Sequence, residues 1–171
     1  MTAPLMSDST RPPFVRSALP WLLDKIASWI APCLYRVRSS GHENLPAGGA
    51  LILANHLSYA DVVALQLACP RPLRYVGFEA FAQQGWIFRK IYEWAGVIPI
   101  SRGSALASTR RVAQALQAGE LVCMFPEGGI SRTGQLMKLK RGFEVMAIRA
   151  GVPVVPVAHD GLWGSIFSFS G

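Results

Sequence analysis

Residues 1 to about 18 mix Pro, Ser, Thr and Arg without periodicity. Such a segment buries too little apolar surface to order itself, so a flexible arm is expected there. From Trp21 to Cys33 the pattern changes: Leu22, Ile26, Trp29, Ile30 and Cys33 recur at three- and four-residue spacing, with Asp24, Lys25 and Ser28 between them. That periodicity predicts an amphipathic helix within 19–35, stopped near Pro32. At about 1.5 Å per residue it reaches about 18 Å, short of the roughly 30 Å of a bilayer core, so it can lie on a membrane but not span it. A helix covering the domain's own core shows the same stripe; the two Trp and the nearby basic residues tilt toward an interface.

Beyond residue 36, short apolar runs alternate with helical patterns. They are ALILA (50–54), ADVVALQLA (60–68), LRYVGF (73–78), a helical stretch near 80–94, GVIPI (96–100), ASTRRVAQALQ (107–117), ELVCMF (120–125), LKRGFEVMAIRA (139–150) and VPVVPVA (152–158). Strand alternating with helix predicts an α/β fold with a central, mostly parallel sheet flanked by helices. Its strands are apolar throughout because helices cover both faces. Residues 36–171 are accordingly read as one domain. No segment is long and apolar enough to cross a bilayer, and the start MTAPLMSDSTRPPFVRS has no apolar h-region with a cleavage site, so no secretion signal is expected.

Composition narrows the class further. The 171 residues are 51% hydrophobic and 16% charged, which excludes a disordered chain, and 17 Lys+Arg against 10 Asp+Glu give a formal charge of +7. A basic balance of this kind attracts lipid head groups, phosphorylated substrates or nucleic acid. The basic residues are scattered and no recognition module is evident, so nucleic acid is not expected as a partner. Cys33, Cys69 and Cys123 lie far apart with no CxxC pair, and read as reduced core thiols, with no metal site among them.

In an open α/β sheet, ligands collect at the loops leaving the carboxyl ends of the strands. Three such loops carry chemistry. After ALILA comes Asn55-His56-Leu57-Ser58-Tyr59-Ala60-Asp61. With His56 in the turn before the helix, the imidazole and the Asp61 carboxylate can converge. The acid would then fix the ring tautomer and stabilise the imidazolium formed when a hydroxyl is deprotonated. Such a base is worth about 10² to 10⁴ in rate. Alone, this spacing is a weak signal, since Asp61 can simply open a helix. After ELVCMF come Pro126, Glu127, Gly128, Gly129, Ile130, Ser131, Arg132, Thr133 and Gly134. Paired glycines let backbone amides approach a phosphate or oxyanion, and Glu127 is placed to orient a substrate group. After the GVIPI run, Ser101 and Arg102 follow, and Arg102 offers a planar fork suited to phosphate. Lys138, Lys140 and Arg141 read as the solvated start of a helix.

These blocks, in this order, resemble the glycerolipid acyltransferase family, whose members acylate glycerol 3-phosphate or lysophospholipids. The resemblance begins near GHENLP (41–46), runs through NHLSYAD, GVIPISR and FPEGGISRTG, and ends with VPVVPVA. It implies that His56 is the catalytic base and Asp61 its partner. It further implies that Arg102 binds phosphate and that Glu127 with Gly128 forms the acceptor-binding loop. The family commonly continues Phe-Pro-Glu-Gly-Thr-Arg, whereas Gly129 and Ile130 stand in the last two places here; Arg132 is then the candidate for the missing charge. The Gly-Gly-Ile variant, with KRGFE and DGLWGSIFSFSG downstream, looks like the acyltransferase portion of bacterial 2-acylglycerophosphoethanolamine acyltransferase fusions. The domain is expected to end short of its relatives at Gly171.

The resemblance implies a peripheral enzyme at the cytoplasmic face of a bacterial inner membrane. It would move a fatty acyl group from acyl-carrier protein or CoA to a lysophospholipid or glycerol-phosphate hydroxyl, with no cofactor or metal. Turnover should then fall as pH drops through the histidine range, near 6.5 for a free side chain. Two other classes come into question. A serine hydrolase needs GxSxG, and Gly129-Ile130-Ser131-Arg132-Thr133-Gly134 is one residue too long. A non-catalytic membrane-surface module that binds anionic lipid remains as the alternative.

Overall fold

The computed structural model describes residues 36–170, apart from the side chains of Trp94 and Arg102. The expected arm, the helix over 19–35 and Cys33 lie outside the described residues.

Five strands form one sheet: β1 (Ala50–Ala54), β2 (Leu73–Phe78), β3 (Ile98–Ile100), β4 (Leu121–Met124) and β5 (Val154–Val157), in the order β3-β2-β4-β1-β5. Every pairing is parallel. The helices between them are α1 (Asp61–Ala68), α2 (Glu79–Ala82), α3 (Trp86–Trp94), α4 (Ala105–Gln117) and α5 (Gly142–Ala150). ALILA and LRYVGF form strands over the whole expected runs, whereas the expected runs around β3, β4 and β5 are trimmed at their ends. The helical stretch near 80–94 is two helices, broken between Gln83 and Gly85, because the chain must turn there to bring Phe81 against Phe88 and Tyr92.

Uniformly apolar strands still obey a period of two. Leu51, Val122, Met124, Val76 and Ile98 form one core with Val112, Ala115 and Leu116 of α4 and Met146 and Ala147 of α5. Ala50, Ile52, Ala54, Leu121 and Cys123 form the other, with Leu65 of α1. Fully buried leucines such as Leu51, Leu116 and Leu121 each contribute about 1.5–3 kcal/mol. Coverage thins at the edge: in β5, Val154 is 39% exposed, so the expectation of two covered faces holds for the central strands and fails there. The inner strands β4 and β1 are therefore the best buried, and what leaves their carboxyl ends is rigidly based. Gly49 precedes it because a side chain there would run into the Leu116 carbonyl, at the end of α4.

Candidate active site

The parallel ladder ends at Ala54 opposite Val157. The next residue, Asn55, continues the join through side-chain bonds: its Nδ2 donates to the His159 carbonyl (2.9 Å) and its Oδ1 accepts the His159 amide (3.0 Å). His56 thus starts from a fixed point.

The His56 ring meets Asp61 at 2.8 Å, Nδ1 to Oδ2. A carboxylate accepts, so Nδ1 carries the proton and Nε2 is the free acceptor. Asp61 also opens α1, so one residue both starts the helix and holds the imidazole. Its Oδ2 takes the amides of Leu57 (2.6 Å) and Ser58 (3.0 Å) as well, holding the turn around the buried acid. The imidazole lies flat on Phe125, centroids 3.9 Å apart and 11° from parallel, with Tyr75 behind that ring. Burial, with the charge of Asp61 added, pushes the Tyr75 hydroxyl and the Cys123 thiol far up, so both stay protonated beside the dyad.

The loop after β4 is tied to the loop after β1. Glu127, 4% exposed, accepts the His56 amide on Oε1 (2.7 Å) and the Met137 amide on Oε2 (2.8 Å). Both oxygens are therefore engaged in bracing the backbone that carries the histidine. Ser131 donates its amide to the His56 carbonyl (2.8 Å), while its buried hydroxyl donates to the Gln135 carbonyl (2.8 Å). A hydroxyl so committed is no nucleophile, which closes the hydrolase reading. Gly128 has φ +74°, and a side chain there would collide with Lys140, whose ammonium also sits 5.9 Å from the Phe78 ring. Arg141 instead pairs with Glu144 at 3.0 Å.

Arg132 is exposed, its guanidinium 5.6 Å from the Phe169 ring. Phe169 in turn meets Tyr59, and the Tyr59 amide bonds the Phe167 carbonyl, so the segment after residue 162 lines the same rim. The structure therefore joins His56, Asp61 and Glu127 directly and Arg132 through Phe169. Arg102 begins a 3-10 turn just beyond β3, with its side chain outside the described part. His159 did not stand out in the sequence; its Nε2 lies 3.7 Å from Asp61 Oδ2. The available signal was its position just after an apolar strand. An open cleft of about 320 Å³ between Arg74, Pro99, Arg111 and Glu120 lies at the amino ends of β2 and β4 and holds none of these residues.

Fold and site together define an open parallel α/β protein with a histidine–carboxylate dyad at the carboxyl edge of its sheet. The chain belongs to the acyltransferase family, whose model matches residues 36–160. Over 136 residues it is 31% identical to a chloroplastic 1-acyl-sn-glycerol-3-phosphate acyltransferase of Arabidopsis thaliana, covering 74% of this chain and 36% of that protein. The 1-acyl-sn-glycerol-3-phosphate acyltransferase of Bacillus subtilis is 30% identical over 131 residues, covering 73% and 63%. A lyso-ornithine lipid O-acyltransferase of Pseudomonas aeruginosa is 32% identical over 136 residues, covering 78% and 50%. The fold matches the crystal structure of the 1-acyl-sn-glycerophosphate acyltransferase PlsC of Thermotoga maritima with a TM-score of 0.65 at 19% identity, over 88% of this chain and 64% of that one. The chain thus spans less than two-thirds of each of these relatives.

Proposed function

We propose that this chain transfers a fatty acyl group from an acyl thioester, of acyl-carrier protein or CoA, to a hydroxyl of a lysophospholipid or glycerol-phosphate acceptor. The observation that carries this reading is the 2.8 Å bond between His56 Nδ1 and Asp61 Oδ2, which leaves Nε2 unprotonated at an open sheet edge. Nε2 takes the proton of the acceptor hydroxyl as its oxygen attacks the thioester carbonyl. The tetrahedral intermediate collapses by breaking the C–S bond, and the leaving thiolate takes the proton from His56 Nε2, which releases a free thiol and restores the neutral ring. One ester forms, one thioester is consumed, and no acyl-enzyme is needed. Asp61 stabilises the transient imidazolium, and the stacked Phe125 keeps the ring from turning. The acceptor's negative group is held by Arg132 and Arg102, with Lys140 adding a charge beside Gly128.

The acceptors named for the relatives, 1-acylglycerol phosphate and lyso-ornithine lipid, support a one-chain lipid as substrate. No helix among the described residues is long and apolar enough to cross a membrane. A peripheral position at the cytoplasmic face of the inner membrane fits the exposed Trp86, Ile87 and Ile91 of α3, flanked by Arg89 and Lys90.

The test supplies purified protein and a His56→Ala variant with acyl-CoA or acyl-carrier-protein thioester and a panel of lysophospholipids, reading free thiol and identifying lipid products by mass spectrometry. Diacyl product from the wild type, reduced at least about 10²-fold in the variant, is expected. Lipid binding by both proteins with product from neither would overturn it in favour of a surface module.

A further inference from the structure

The Asp61 carboxylate is approached by two imidazoles. His56 bonds Oδ2 from one side, and His159 Nε2 stands 3.7 Å from the same oxygen. His159 is only 13% exposed at its side chain, and its Nε2 bonds the Asn55 carbonyl at 2.8 Å. A carbonyl accepts, so Nε2 carries the proton and its positive end lies beside the acid. The remaining nitrogen, Nδ1, is buried without a partner among the described residues. The main chain of His159 is already held by the Asn55 side chain, so the ring is not needed to keep the strands together. The unpaired Nδ1 is a desolvation cost that offsets what the ring's bond to the Asn55 carbonyl contributes, so that bond by itself is a weak structural reason for the imidazole.

We propose that His159 is a positioning residue of the acyl-transfer site: its Nε2–H, bonded to the Asn55 carbonyl, sets a positive dipole end 3.7 Å from the Asp61 carboxylate and so tempers the pull of that carboxylate on the His56 ring. This rests on the acyl-transfer reading only for its effect on turnover. The groups facing the dyad are His56 and Asn55 from the β1 exit, Tyr75 from β2, Cys123 from β4 and Glu127 from the loop after β4. Tyr75 and Cys123 are held protonated by burial, and the Glu127 oxygens point at backbone amides. The sign follows from the geometry. With the Nε2–H removed, the whole carboxylate charge acts on His56, its imidazolium is favoured, and its titration midpoint moves up.

The experiment is an NMR titration of the His56 Cε1–H, read without any substrate, in the wild type, His159→Phe and His159→Gln, with thermal melts as the folding control. The phenylalanine variant should raise the midpoint by about half a pH unit. The glutamine variant, whose amide N–H reaches the same carbonyl, should stay within about 0.2 unit of the wild type. In the acyl-transfer assay, the acid limb of kcat/KM should move with that midpoint, while KM for the acceptor stays put. A phenylalanine variant titrating like the wild type, or a glutamine variant titrating like phenylalanine, overturns the assignment. Should His159→Phe not fold, His159→Met removes the same donor with a side chain that adapts to the space and carries the same expectation. Because the titration needs no turnover, failure of this proposal is distinguishable from absence of acyl transfer.

Discussion

Replacing Asp61 by asparagine separates the charge of the dyad from its geometry. Three donors converge on Oδ2: His56 Nδ1–H, the Leu57 amide and the Ser58 amide. In Asp61→Asn the new side-chain carbonyl takes that place, and the NH₂ falls where Oδ1 already lacks a partner among the described residues. The turn is therefore kept and the negative charge is lost. At 2.8 Å and an effective dielectric of about 20, a full imidazolium–carboxylate pair is worth about 6 kcal/mol by Coulomb's law. With the proton roughly half transferred at the transition state, about 3 kcal/mol is lost, or about 10²-fold in turnover. Asp61→Ala also strips the acceptor from two buried amides, each costing about 1–3 kcal/mol of stability. The assay pairs thiol release, at saturating acceptor, with thermal melting followed by circular dichroism. The asparagine variant should melt within a few degrees of the wild type and turn over about 10² slower; the alanine variant should lose both stability and rate. An asparagine variant within about threefold of wild-type turnover would refute the role given to the carboxylate.

Two further outcomes are expected. Glu127→Gln keeps one carbonyl acceptor but turns an NH₂ toward either the His56 or the Met137 amide, so stability should fall by about 1–3 kcal/mol with turnover reduced; a variant with unchanged denaturation midpoint and rate would remove the bracing role. Tyr75 and Cys123 are raised by burial above the values near 10 and 9 at which free side chains titrate. The unfolded chain therefore releases their protons first, and stability is full below about pH 9 and falls as pH rises beyond it. Each group contributes a slope of about 1.4 kcal/mol per pH unit once its unfolded form has ionised. Urea midpoints from pH 7 to 11 would show it, and a flat profile for the wild type would count against the burial of these two groups.

The strands can be read along the chain because each is a run of contiguous apolar residues, and burial on both faces leaves that run uninterrupted; ALILA is β1 to the residue. The His56–Asp61 pairing is legible for a related reason, since one turn and the first residue of one helix contain both groups. Sheet order is not legible. Chain order says nothing about β4 and β5 lying on either side of β1, and that placement alone brings Glu127 to the His56 amide and His159 to Asp61. The direction of the Glu127 carboxylate is likewise hidden: as the residue after a strand and its proline it looks ready for substrate, and the fold turns it onto two backbone amides. Local contacts are encoded in local spacing. Contacts between residues 71 positions apart, as for His56 and Glu127, or 104 apart, as for Asn55 and His159, exist only once hydrophobic burial has stacked the strands. The elements and the dyad therefore belong to the primary structure, and what surrounds the dyad belongs to the packing.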